Sequence, residues 1–98
     1  MSYRQNKVLN YVIDVVGSRL TIPILWYLQQ KGAMTYEQLR EDIVFVTNTS
    51  LHKALKGLVD HGILKQEGDL YSISGSGEEL IPILKEFVDW GQKQLHEQ

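Results

Sequence analysis

The 98-residue chain contains no cysteine. That single absence excludes disulfides, a thiolate nucleophile, a thiolate metal site and a thiol redox sensor. Proline is nearly as scarce, with only Pro23 and Pro82, and no apolar run approaches the roughly 20 residues needed to cross a bilayer. The first residues, Met-Ser-Tyr-Arg-Gln-Asn-Lys, are polar and lack the apolar core and small-residue cleavage site of a secretory signal. The expectation is a soluble, cytoplasmic protein with no membrane partner. Repeats and low-complexity segments are missing too. His52 and His61 lie nine residues apart on one helix, about 13 Å, too far to share a metal ion. Gly75-Ser-Gly77 lacks the lysine and the strand-loop-helix context of a phosphate loop. No carboxylate–histidine cluster has catalytic or ligand spacing, so the sequence predicts no catalytic residue, no metal and no cofactor.

What is present is an ordinary globular composition, 43% hydrophobic and 22% charged, in a chain long enough for one core and too short for two. Residues 1–98 are therefore expected to form a single domain. The formal net charge of −2 hides an uneven distribution. Residues 1–65 carry eight Lys/Arg against five Asp/Glu, a balance of +3, whereas residues 66–98 carry two against seven, a balance of −5. Any basic surface belongs to the first two thirds.

Along the chain, Val8, Leu9, Val12, Ile13 and Val16 recur at helical spacing and predict a first helix over Lys7–Val16. Ser18 is a candidate cap for a second helix, Leu20–Lys31, apolar nearly all round and so the expected centre of the core, with Pro23 in its first turn and Gly32 at its end. Thr35-Tyr-Glu-Gln38 has the form of a capping box and opens a third helix to about Asp42. Ile63–Gln66 and Leu70–Ser74 read as strands joined at Gly68-Asp69 in a tight hairpin. A final helix from about Gly77 to Leu95, capped by Ser74 or Ser76, bears Leu80, Ile81, Leu84, Phe87, Val88 and Leu95, more apolar surface than a small core covers. Pro82 predicts a bend in it.

Between the turn Ile43–Val46 and Gly62 lies the element that faces two ways. Leu51, Ala54, Leu55 and Leu58 share one face of a helix, and Thr49, Lys53, Lys56 and Asp60 lie opposite. Thr47 or Asn48 can cap its start, and Gly62 sits where a left-handed residue would end it. Two short helices joined by a few residues, then a hairpin, with helices flanking at both ends (about 4–16 and 77–95), define the expected fold. It is mainly α with a small β-hairpin (α+β), a winged helix-turn-helix whose N- and C-terminal helices form a dimer platform.

The order of residues resembles the HxlR-type winged-helix transcriptional regulators, a branch of the MarR-like group. The resemblance rests on Val12-Ile-Asp-Val-Val-Gly-Ser-Arg19, Ile24-Leu-Trp-Tyr-Leu28, Val46-Thr47, Leu51, Leu55, Leu58, His61-Gly-Ile-Leu64, Tyr71-Ser-Ile-Ser74, Leu80-Ile-Pro82 and Trp90-Gly91. It implies a homodimeric regulator of transcription that binds a two-fold-symmetric operator in double-stranded DNA and catalyses nothing. Three departures stand out. Leu20 replaces the tryptophan that usually follows the basic residue, here Arg19. The wing, Gln66-Glu-Gly-Asp69, is clipped and acidic, and the N-terminal cysteine of many members is missing.

Read on this frame, Thr47, Asn48, Thr49, His52, Lys53 and Lys56 are the candidate DNA-binding residues, since Asn can pair with adenine and Lys with guanine or phosphate. Val8, Val12, Leu80, Leu84, Phe87 and Val88 are the candidate dimer interface. Arg4, Lys7, Arg19, Lys31 and Arg40 are further candidates for phosphate contact, although for each alone the reading as a solubilising charge is favoured. Trp26, Tyr27 and Trp90 fit a small-molecule pocket or core packing, and their place in apolar stripes favours packing. An effector is not identified. The competing reading is a winged-helix protein-interaction module whose acidic C-terminal third docks another protein.

Overall fold

In the computed structural model, which describes residues 6–96, helices α1 (Lys7–Val16), α2 (Thr21–Lys31), α3 (Tyr36–Asp42), α4 (Asn48–Asp60) and α5 (Gly75–His96) surround a small antiparallel sheet. The sheet has strands β1 (Met34–Thr35), β2 (Leu64–Glu67) and β3 (Leu70–Ile73) in the order β1-β3-β2. No single helix among the described residues is long and apolar enough to cross a membrane.

Helix α1 starts where Asn6 Oδ1 accepts the Leu9 N–H at 3.0 Å. Its end is tied to α2, because the buried Thr21 hydroxyl donates to the Val15 carbonyl at 2.7 Å and so satisfies a polar group that water cannot reach. Ser18 does not cap α2 as expected. Its Oγ accepts the Leu20 N–H in the preceding turn, at 3.2 Å, and the helix proper begins at Thr21. Pro23 still falls in the first turn, where its missing N–H would have had no helical partner. Ile24, Leu25 and Leu28 are buried at the centre of the molecule, whereas Ile22 is exposed, so α2 is less enclosed than its composition predicts.

Strand β1 was not foreseen. Two residues show no periodicity, and here Thr35 serves both as strand and as cap. It pairs with Leu70 while its hydroxyl accepts the Gln38 N–H at 3.2 Å and Gln38 Oε1 accepts the Thr35 N–H at 2.9 Å, completing the expected capping box.

Helix α4 is fixed at both ends. Thr47 Oγ1 accepts the Ser50 N–H at 3.1 Å. At the other end the Gly62 N–H reaches the Val59 carbonyl and the Ile63 N–H reaches the Leu58 carbonyl, each at 2.9 Å, with Gly62 at φ +76°. That is a Schellman ending, whose left-handed residue is best filled by glycine, here Gly62. Leu51 and Leu55 are wholly buried, each worth about 1.5–3 kcal/mol of transfer free energy.

The hairpin pairs Leu64 with Ile73 and Glu67 with Leu70, leaving the two-residue turn Gly68-Asp69 with Gly68 at φ +63°. Beyond it, Ser74 takes over. Its N–H donates to the Ile63 carbonyl, its hydroxyl donates to the carbonyls of Gly62 and Ile63, and its Oγ accepts the Gly77 N–H at 3.1 Å. Ser74 rather than Ser76 therefore caps α5, which starts at Gly75, two residues earlier than expected, and runs on through Pro82. Gly77 is required by space: a Cβ there would lie 2.3 Å from the Ile63 carbonyl oxygen and 2.7 Å from Ile73 Cγ2.

Candidate nucleic-acid interface

With Leu51, Leu55 and Leu58 turned inward, α4 presents Thr49, His52, Lys53 and Lys56 to solvent, and Thr47 and Asn48 are exposed at its start. The six predicted residues lie together along one outer edge. They are not equivalent. Thr47 uses its hydroxyl on the cap, accepting from Ser50 N–H and donating to Ser50 Oγ at 3.0 Å. Lys56 Nζ lies 3.0 Å from Asp60, one turn on, a pair whose open exposure lets water and salt screen it. Lys53 has no ion pair among the described residues.

Asn48 and His52 share a partner that the sequence reading missed. The Tyr36 hydroxyl donates to Asn48 Oδ1 at 2.7 Å, and its ring stacks on the His52 imidazole with centroids 3.9 Å apart and planes 4° from parallel. The contact spans the turn between α3 and α4, so no helical period reports it. The available signal was an aromatic residue at the first position of α3, directly after the capping threonine.

On the opposite flank of α4 a groove of about 600 Å³ runs between the helix and the α1–α2 turn, lined among others by Ser18, Arg19, Phe45, Lys53 and Gly57. The Arg19 guanidinium stands 5.4 Å from the Phe45 ring centroid, a cation–π spacing that holds it beside α4. The other basic residues lie elsewhere. Lys31 pairs with Asp42 at 2.6 Å, and that hydrogen bond raises its pKa above the usual lysine range. Arg40 donates to the Ile43 carbonyl at 2.9 Å, Lys7 sits at the start of α1, and Arg4 lies outside the described residues. At the far end of α4, His61 Nδ1–H donates to the Gly57 carbonyl at 2.8 Å, a helix-end role. The tip of the hairpin carries exposed Glu67, Gly68 and Asp69.

The flanking helices are built differently. In α1 only Val15 is buried, and Val8, Leu9, Val12, Ile13 and Val16 are all exposed. Beside them, an apolar groove of about 580 Å³ opens between α1, α2 and α5, with Val12, Ile22, Ile83 and Phe87 on its walls. Phe87 is 61% exposed, but Leu84 is 4% exposed and belongs to the core. The expectation that Leu84 is surplus surface is thus corrected: it shares the apolar stripe of Phe87 but is packed into the core. Leu80 and Val88 are half-buried against the core.

A helix-turn-helix made by α3 and α4, followed by a two-stranded wing and flanked by α1 and α5, defines a winged-helix protein. Comparison with known proteins gives the family. The profile of the HxlR-like helix-turn-helix family matches residues 15–98, and the chain belongs to that family. It is similar to the HTH-type transcriptional regulator YdzF of Bacillus subtilis (strain 168), 31% identical over 94 residues, covering 86% of this chain and 84% of that protein. It is also similar to the HTH-type regulator BH0655 of Halalkalibacterium halodurans, 25% identical over 96 residues, covering 91% and 85%. Among solved structures, that of the redox regulator HypR in its oxidized form superposes with a TM-score of 0.79 at 22% identity, covering 88% of this chain and 95% of that one. Quinone-bound YodB from B. subtilis gives 0.78 at 20% identity, covering 88% and 97%. The named relatives are HTH-type transcriptional regulators.

Proposed function

We propose that the chain is a single DNA-binding domain that regulates transcription as a homodimer, reading a two-fold-symmetric operator in double-stranded DNA in the cytoplasm. The observation that carries this is the division of α4, three buried leucines on one side and exposed Asn48, Thr49, His52, Lys53 and Lys56 on the other. Such a helix is held rigidly by its own core while its polar edge is free to enter a major groove, where Asn and Lys meet base edges and phosphates. Arg19 adds a cation on the flank of the same helix.

The dimer rests on α1 and α5. Val12 and Phe87 line a groove that the described residues leave open, Val8 is exposed one turn from Val12 on α1, and a second copy related by a two-fold axis would bring the same groove and the same ridge. Half-sites would then lie roughly 34–36 Å apart, one turn of duplex. Sensing by a thiol is excluded, since the chain has no cysteine.

Selection of bound sequences from a random duplex library tests the reading. An enriched palindrome supports it. No enrichment favours the alternative, a winged helix that docks a protein, for which the acidic balance of residues 66–98 is the supporting observation.

A further inference from the structure

We infer that Tyr36, which lies on α3 and outside the polar edge of α4, determines operator specificity by fixing the orientation of Asn48 and His52; this rests on α4 being the reading helix. An asparagine in solvent turns its amide over freely, presenting either oxygen or nitrogen. It then satisfies a donor or an acceptor on a base edge and discriminates poorly. In the structure the Tyr36 hydroxyl donates to Asn48 Oδ1 at 2.7 Å. With its oxygen accepting from the phenol, Asn48 has that end of its amide engaged before any base is met, and the amide nitrogen is the end left to present.

The same ring lies flat on His52 at 3.9 Å. Residues 48 and 52 are one helical turn apart and share a face, so one aromatic side chain sets both an amide and an imidazole. Tyr36 is itself well anchored. It is half-buried, it follows the Thr35–Gln38 capping box, and Thr35 is paired into the sheet. A contact shell of this kind holds reading groups in place in advance, so that a wrong base meets a fixed donor or acceptor and not a compliant one.

The test uses the full chain and its selected duplex. Tyr36→Phe keeps the ring and removes the hydroxyl. The expected result is a loss of base preference at one base pair of each half-site, about three- to tenfold, as befits one hydrogen bond. The thermal midpoint should fall by no more than a few degrees, and the affinity for unrelated duplex should stay unchanged. Asn48→Ala should lose preference at the same base pair, and adding Tyr36→Phe to it should change nothing more. Retained preference in Tyr36→Phe alongside its loss in Asn48→Ala would overturn the inference. So would a fall in specific and unrelated binding together, which would assign Tyr36 to packing α3 on α4. If the parent chain itself selects no duplex, the DNA-reading assignment fails first, and that result is distinct from either.

Discussion

Helices α1 and α4 carry the same kind of pattern, apolar residues at helical spacing with polar ones between, and end in opposite states. In α4 the apolar side is covered from within: Leu51 and Leu55 are fully buried and Leu58 nearly so. In α1 only Val15 is buried, while Val8 is 72% exposed. Periodicity states that a face needs covering. It does not state by what. For α4 the cover comes from α2 and the sheet, which leaves its polar edge exposed to solvent. For α1 the apolar face is itself the surface left over, continuous with the groove against α5.

The contrast is most severely tested by Leu55→Ala, which opens a cavity beneath α4. Urea unfolding should show a loss of about 2–5 kcal/mol, whereas Val12→Ala at low protein concentration should shift stability by no more than about 0.5 kcal/mol. Equal effects would erase the distinction between the two helices. Next in size is Phe87→Asp, which places a carboxylate on the uncovered face. Light scattering should report half the mass, and operator affinity should fall by about 10²-fold as two half-sites cease to be held together. A parent chain that scatters as a monomer at micromolar concentration would remove the basis for this expectation.

On the polar edge of α4, Lys53→Glu is expected to cost about 1–3 kcal/mol of operator binding with an unchanged circular dichroism spectrum. Lys56→Glu should cost less, because Lys56 already shares its charge with Asp60. A mobility-shift titration decides both, and parental binding by the double variant would mean that α4 is not the reading helix. The smallest effect belongs to the hairpin tip. A two-residue turn has little reach, so Glu67→Lys with Asp69→Lys should tighten binding modestly without steepening its salt dependence. Steepening by nearly two counterions per protomer would place the tip on the phosphates.

Much of the fold was legible because short-range chemistry decided it. Thr47 and Gly62 bracket α4, Thr35 and Gln38 close their box, and Gly68-Asp69 turns the hairpin, each through contacts within a few residues. What was illegible depended on residues far apart in the chain. β1 exists only because Met34 and Thr35 meet Tyr71 and Leu70. Leu84 and Phe87 occupy the same stripe of α5, and only the packing of the rest of the chain puts one inside and the other out. Candidate reading residues on α4 were visible as a polar face, but Tyr36, bonded across twelve residues to Asn48, was not.

The joint at Ser74 and Gly77 ties the two halves of the molecule mechanically. Ser74 is bonded to the chain leaving α4 and to the first turn of α5, and Gly77 brings that turn so near the Ile63 carbonyl that there is no slack between them. A tilt of α5 would strain these bonds at the end of α4 unless the two move together. In a pair of chains joined through α1 and α5, the distance between the two reading helices would thus be set by how the α5 helices cross. Whatever altered that crossing would change the spacing of the half-sites the pair can span, without touching a residue that faces DNA.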